Sequence, residues 1–141
     1  MKRNILIAVA IIAAAGIWWL TRAEVAPASD EAKPAGAPIV EVIVPELTGL
    51  AVIGETAFNA KCAECHGQNA AGNDQAGPPL VHKIYEPGHH GDAAFLMAAQ
   101  NGVQSHHWRF GNMPAVEGVT PGDVKAIIAY VRTLQRANGI N

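Results

Sequence analysis

The chain has 141 residues, half of them apolar and 16% charged, with a formal charge of −2. That composition excludes a disordered acidic tail and a phosphate-binding basic surface, and the length allows one folded domain. From residue 50 onward six Lys/Arg face seven Asp/Glu, so net charge alone steers partners weakly. The two cysteines lie three apart and cannot form the multi-bridge framework of a small secreted protein.

Lys2 and Arg3 precede sixteen consecutive apolar residues, 5–20. As a helix these reach about 24 Å, against a hydrocarbon core of about 30 Å, between a cleavable signal and a full span. Trp18 and Trp19 favour a retained transmembrane anchor, because indoles prefer the membrane interface. Ala26-Pro27-Ala28 and Thr21-Arg22-Ala23 are the alternative cleavage sites of a signal peptide. Residues 1–22 are thus a signal-anchor or signal peptide. The rest belongs on the periplasmic side of a bacterial inner membrane, anchored if uncleaved and soluble in the periplasm if cleaved.

Residues 23–45, with prolines at 27, 34, 38 and 45, read as a flexible Pro/Ala-rich tether. Within it Ile39-Val40-Glu41-Val42-Ile43-Val44 is β-branched, and its expected form is a short strand packed on the domain, with a sticky linker end as the alternative.

The folded domain spans 46–141, about 90 residues, a size at which a covalent staple helps. Leu50, Ile53, Ala57 and Phe58 recur at helical spacing ahead of Cys62. A second helix starts with Asp92 as N-cap, runs through the apolar residues 93–99 and stops at Gly102. The last helix is capped by Thr120, carries Pro121 in its first turn and a capping-box Asp123, and ends at Gly139. Val124, Ile127, Ile128, Val131 and Leu134 form its apolar stripe. Residues 67–91 and 111–118 are loops rich in Pro and Gly. The fold class is therefore all-α, and loops this long in so small a domain require something to fill the interior.

Cys62-Ala63-Glu64-Cys65-His66 supplies it. In a helical turn Cys62 and Cys65 share a face and can each bond a vinyl group of one porphyrin, while His66 turns toward the iron. Three other uses of the motif exist. A redox dithiol needs a βαβ setting, which is not evident around residue 62. A zinc site needs further ligands, borrowed among His82, His89, His90, His106 and His107. A buried structural pair is the plainest option. With an export segment ahead of it, haem attachment is the reading adopted. For the sixth iron position, Met97 sits beside Phe95 and Leu96 in a predicted helix, where methionine is ordinary core filling. Met113, in Gly111-Asn112-Met113-Pro114, lies in a loop that lets the backbone approach a ring, and it is the preferred ligand over a histidine or an open position.

Residues 50–136 resemble class I c-type cytochromes. The run from Gly54 through Cys62-Ala63-Glu64-Cys65-His66 to Gly67 is similar to that family's first helix and attachment site, Gly77-Pro78-Pro79-Leu80 to its proline loop, Asn112-Met113-Pro114 to its distal ligand loop, and Ala129-Tyr130-Val131-Arg132 to its final helix. The resemblance implies a small helical domain wrapped around one covalent haem c. Cys62, Cys65, His66 and Met113 bind the cofactor, with His66 and Met113 on the iron. It further implies that a proline-loop carbonyl accepts a hydrogen bond from the axial imidazole and that an aromatic of the final helix packs across the first near Gly54.

The expected function is single-electron transfer, with no catalysis of its own. Partners would be respiratory or photosynthetic membrane complexes, a terminal oxidase or a periplasmic oxidoreductase. Two alternatives are a haem sensor or peroxidase-like enzyme with a displaceable sixth ligand, and a cytochrome subunit of a larger membrane oxidoreductase. His89, His90, His106, His107 and Trp108 depart from the plainest members of the family. The histidine pairs read as loop residues bonded locally, with binding a metal, contacting a haem propionate or meeting a partner as the alternatives, and Trp108 as wall material or a donor to a propionate; none is assigned a role.

Overall fold

In the computed structural model the described residues are 36–141, and the expected membrane segment and most of the tether fall outside them. Four helices follow one another: α1 (Leu50–Lys61), α2 (Ala63–His66), α3 (Asp92–Asn101) and α4 (Pro121–Ala137), with 3-10 turns at Gln68–Ala70 and Lys83–Tyr85. Among the described residues there is no strand, only isolated bridges pairing Asn73 with Gly77 and Val103 with Met113. No described helix is long and apolar enough to cross a membrane.

The central packing is α1 across α4. A Cβ on Gly54 would stand 1.9 Å from the carbonyl oxygen of Ala126 and 2.9 Å from Cβ of Tyr130, so the two backbones touch where only glycine fits. One turn on, the Phe58 and Tyr130 rings pack with centroids 5.5 Å apart, as the resemblance implies. Phe58, Tyr130, Val131 and Leu134 are fully buried, each side chain contributing about 1.5–3 kcal/mol on the hydrophobic scale. The Tyr130 hydroxyl is not left unpaired; it donates to Asn69 Oδ1 at 3.2 Å. The expected stripe on α4 is largely the buried one, although Ala126, Tyr130, Arg132 and Gln135 are buried too. On α1 the buried face is Ala51, Gly54 and Phe58, whereas Leu50 and Ile53 are exposed, because the close approach at Gly54 sets the rotation of the helix.

The capping box of α4 is present as expected: Asp123 N–H donates to Thr120 Oγ1 and Thr120 N–H donates to Asp123 Oδ2. At α3 the start is shifted by one. Gly91 is the N-cap and Asp92 the first helical residue, its carboxylate taken by Arg132 Nε at 2.9 Å. Gly102, at φ 73°, ends the helix as expected.

Residues 39–44 form no strand: 39 and 40 lie in a bend and 41–44 have no regular structure. Ile39 and Val40 both donate to the single carbonyl of Ala71, and Ile43 exchanges two bonds with the side-chain amide of Asn138. Val42 and Leu47 pack on the core. The β-branched run is thus a strap held by separate anchor points, since no neighbouring chain segment runs alongside it to make a ladder.

A buried polar network, invisible to periodicity, joins the middle of the chain to α4. The Arg132 guanidinium donates to Asp92 Oδ1, to the carbonyls of Tyr85 and His90 and to Gln135 Oε1, and lies 4.8 Å over the Phe95 ring. Gln135 Nε2 in turn donates to the carbonyls of Leu80 and Tyr85. Residues 80–92 are held against α4 through these two side chains.

Candidate functional site

Cys62 breaks the helical geometry at the end of α1, with φ −122°, and its carbonyl accepts from His66 N–H at 2.8 Å, so a single tight turn carries Cys62, Cys65 and His66. Gly77 lets the following loop close onto this turn: a Cβ there would lie 2.7 Å from the carbonyl oxygen of Cys65. The carbonyl of Pro78 is thereby placed 2.8 Å from Nδ1 of the buried His66. A carbonyl can only accept, so Nδ1 carries the proton and Nε2 is the lone-pair nitrogen. Burial holds the His66 pKa below the ordinary imidazole value, the Pro78 bond opposing that shift. Both the tautomer and the neutral state are those of an iron ligand, and the orienting carbonyl is the one implied by the proline-loop resemblance.

His66 and Cys62 line a cavity of about 400 Å³ whose other walls include Leu80, Phe95, Val116 and Ile127. Met113 reaches the same cavity. Its backbone is clamped to Val103 by reciprocal bonds of 2.9 and 3.0 Å, and a Cβ on Gly102 would lie 2.5 Å from the Met113 carbonyl, so the loop rests directly on the end of α3. Met97 is not core filling as expected; it is 61% exposed and also borders the cavity, because α3 packs on α4 through other residues. Cys65 is exposed and is not among the lining residues, although it stands close enough to Cys62 to act on its thiol.

Burial, followed by the proximity of Cys65, pushes the Cys62 thiol up to about 11. A redox dithiol needs the opposite shift, and among the described residues no strand precedes the motif. A zinc site at the motif fails as well. Among the described residues the three side chains grouped to hold a metal ion are His89, His90 and His107, and no cysteine takes part. A largely apolar, roomy cavity with the buried His66 imidazole in its wall suits a porphyrin. A further observation agrees: Trp108 Nε1 is buried without a hydrogen-bond partner. The nearby Tyr85 phenol is raised by burial and lowered by this indole, yet their geometry falls short of a hydrogen bond, leaving a donor free for an anionic substituent.

Residues 51–135 match the family described as Cytochrome c. The chain belongs to the cytochrome c family. Its single attachment motif and distal-loop arrangement are those of a class I c-type cytochrome, with one covalently bound haem c and its iron as cofactor. Among curated proteins the cytochrome is similar to the Cbb3-type cytochrome c oxidase subunit FixP of Bradyrhizobium sp. (strain ORS 278), 37% identical over 111 residues, 72% of this chain and 36% of that protein. It is also 37% identical to the subunit of the same name from Bradyrhizobium diazoefficiens over 83 residues, 57% of this chain and 26% of that protein. The cytochrome therefore spans about a third or less of the length of these relatives.

Of the residues singled out in the sequence, Cys62, His66 and Met113 meet at one cavity, with Cys65 on the same turn. The Arg132–Gln135 network and the gathering of the histidine pairs were missed. Arg132 and Gln135 carry no local signal of burial, but the His-His doublets flanking α3 were a visible cue.

Proposed function

We propose that this cytochrome is a single-electron carrier in which Cys62 and Cys65 hold the haem by thioether bonds and His66 and Met113 are the axial ligands. The observation that carries the reading is the neutral His66, fixed by Pro78, in the wall of an apolar cavity that Met113 also enters. Haem iron supplies the one-electron ferrous/ferric couple. The protein's part is positional. Pro78 holds the proton on Nδ1 and makes Nε2 a better donor, and the Val103 pairing and Gly102 contact hold the Met113 loop in place. Apolar walls exclude water and disfavour the extra positive charge of the oxidised state, raising the reduction potential, as a thioether ligand does. Trp108 Nε1, buried without a partner, would be the donor to a haem propionate.

The donor or acceptor is a membrane respiratory complex, and the likeness to oxidase subunits favours a terminal oxidase. The same likeness favours a second reading, in which the chain is a cytochrome subunit of a larger membrane oxidoreductase. Residues 1–22 then anchor it, with the domain on the periplasmic side. Voltammetry of the purified protein tests the carrier: one reversible one-electron wave is expected, and a catalytic current with peroxide would contradict it. Native gels of mild detergent extracts, stained for haem, separate the two settings: a free monomer supports the carrier, co-migration with oxidase activity the subunit.

A further inference from the structure

The loop after the Lys83–Tyr85 turn and the loop after α3 bring four histidines to one place, outside the attachment turn. His89, His90 and His107 each offer a ring nitrogen, the three lying within 4.8 Å of one another. His106 completes the group, its ring 4.2 Å from that of His107 and stacked 6.0 Å from that of His90. Sequence alone gives two separated doublets, and only the fold makes them a cluster.

The orientation of the rings is that of prepared ligands. Nδ1 of His89 and Nδ1 of His90 both donate to the carbonyl of Ile84, at 2.8 and 2.6 Å, and Nδ1 of His106 donates to the carbonyl of Gln104 at 2.8 Å. A backbone carbonyl on one ring nitrogen fixes the tautomer and leaves the other nitrogen as a lone-pair donor, the usual support of a metal-binding histidine. His107 is held below the ordinary imidazole value, by partial desolvation first and then by His106, His90 and His89, which favours its lone-pair form. Around an ion with metal–nitrogen bonds of about 2.0–2.1 Å, ring nitrogens stand roughly 3.3 Å apart, a separation that small side-chain rotations reach from the observed one.

We infer that His89, His90 and His107 form a binding site for a divalent transition-metal cation of the zinc or copper class, with His106 or solvent in the fourth position. Imidazole donors without carboxylates select these ions over magnesium or calcium. His90, His106 and His107 also line the haem cavity, so a cation held here adds positive charge beside it and disfavours ferric iron.

The test uses untagged holoprotein, stripped with chelator and titrated with zinc chloride in a calorimeter, with copper(II) in a parallel arm read by metal analysis after gel filtration. One equivalent of zinc or copper per chain is expected, together with a rise in the haem midpoint potential on binding. His89→Gln, at an exposed position outside the cavity lining, should weaken binding by about tenfold or more while keeping the parent haem spectrum, and His107→Gln should weaken binding likewise. Absence of one-equivalent binding by either metal, or unchanged affinity in both variants, would overturn the site. An altered haem spectrum in the metal-free His89→Gln variant would overturn it too, by assigning that histidine to the haem.

Discussion

Replacing Arg132 with methionine probes the buried network that holds residues 80–92 against α4. The variant removes four hydrogen bonds, but their losses differ. Asp92 is 67% exposed and regains water, and the Tyr85 carbonyl keeps its bond from Gln135 Nε2. The His90 carbonyl and Gln135 Oε1 lose the guanidinium donor. Two acceptors left unsatisfied cost about 1–3 kcal/mol each, and the buried thioether offsets about 1 kcal/mol, so the net loss is about 1–5 kcal/mol. For a domain of this size each kcal/mol lowers Tm by about 4 °C or more, giving a drop of at least about 4 °C by calorimetry of the holoprotein. Arg132→Lys, which restores the charge but not the fork, should recover less than half of it. A Tm within about 2 °C of the parent for Arg132→Met would refute the assignment of the network to stability.

Gly54→Ala sets a Cβ 1.9 Å from the Ala126 carbonyl oxygen and should lose about 3 kcal/mol or more in denaturant titration. Gly122→Ala, whose Cβ meets nothing closer than Thr120 Oγ1 at 3.6 Å, should be neutral or gain up to about 1 kcal/mol; equal losses in both would contradict the helix-contact account. In the haem-free chain, where Nε2 of His66 is uncoordinated, its lowered pKa makes the unfolded chain bind more protons than the native one as pH falls through about 6.5, so stability falls there and is flat well above that value. Below it, the loss approaches about 1.4 kcal/mol per pH unit. His107 has the same sign, so urea titrations of the haem-free chain are made in a His107→Gln background; a pH-independent midpoint between 5 and 7 there would count against a neutral buried imidazole.

What the sequence revealed was what local chemistry controls. Thr120, Pro121 and Asp123 specify the start of α4 among themselves, and Gly102 ends α3 because the left-handed φ there suits glycine. The attachment turn was legible because all three of its functional side chains lie within five residues. Distant contacts were not legible. Asp92 was expected as a cap and serves Arg132 forty residues away, Leu50 and Ile53 face outward because Gly54 sets the helix contact, and the run 39–44 found anchor points instead of a strand partner. Met97 matched a core pattern, yet the cavity takes the place of core beside it.

The central claim is that His66 and Met113 together bind the haem iron. The ferric absorption spectrum at neutral pH tests it most directly, read for the weak far-red charge-transfer band of methionine ligation in the parent and in Met113→Ala. The account predicts that the band is present in the parent and lost in the variant, which then binds carbon monoxide when reduced and has a lower midpoint potential. A parent without the band, or a variant that keeps it and excludes carbon monoxide, would contradict it and give the sixth position to another side chain.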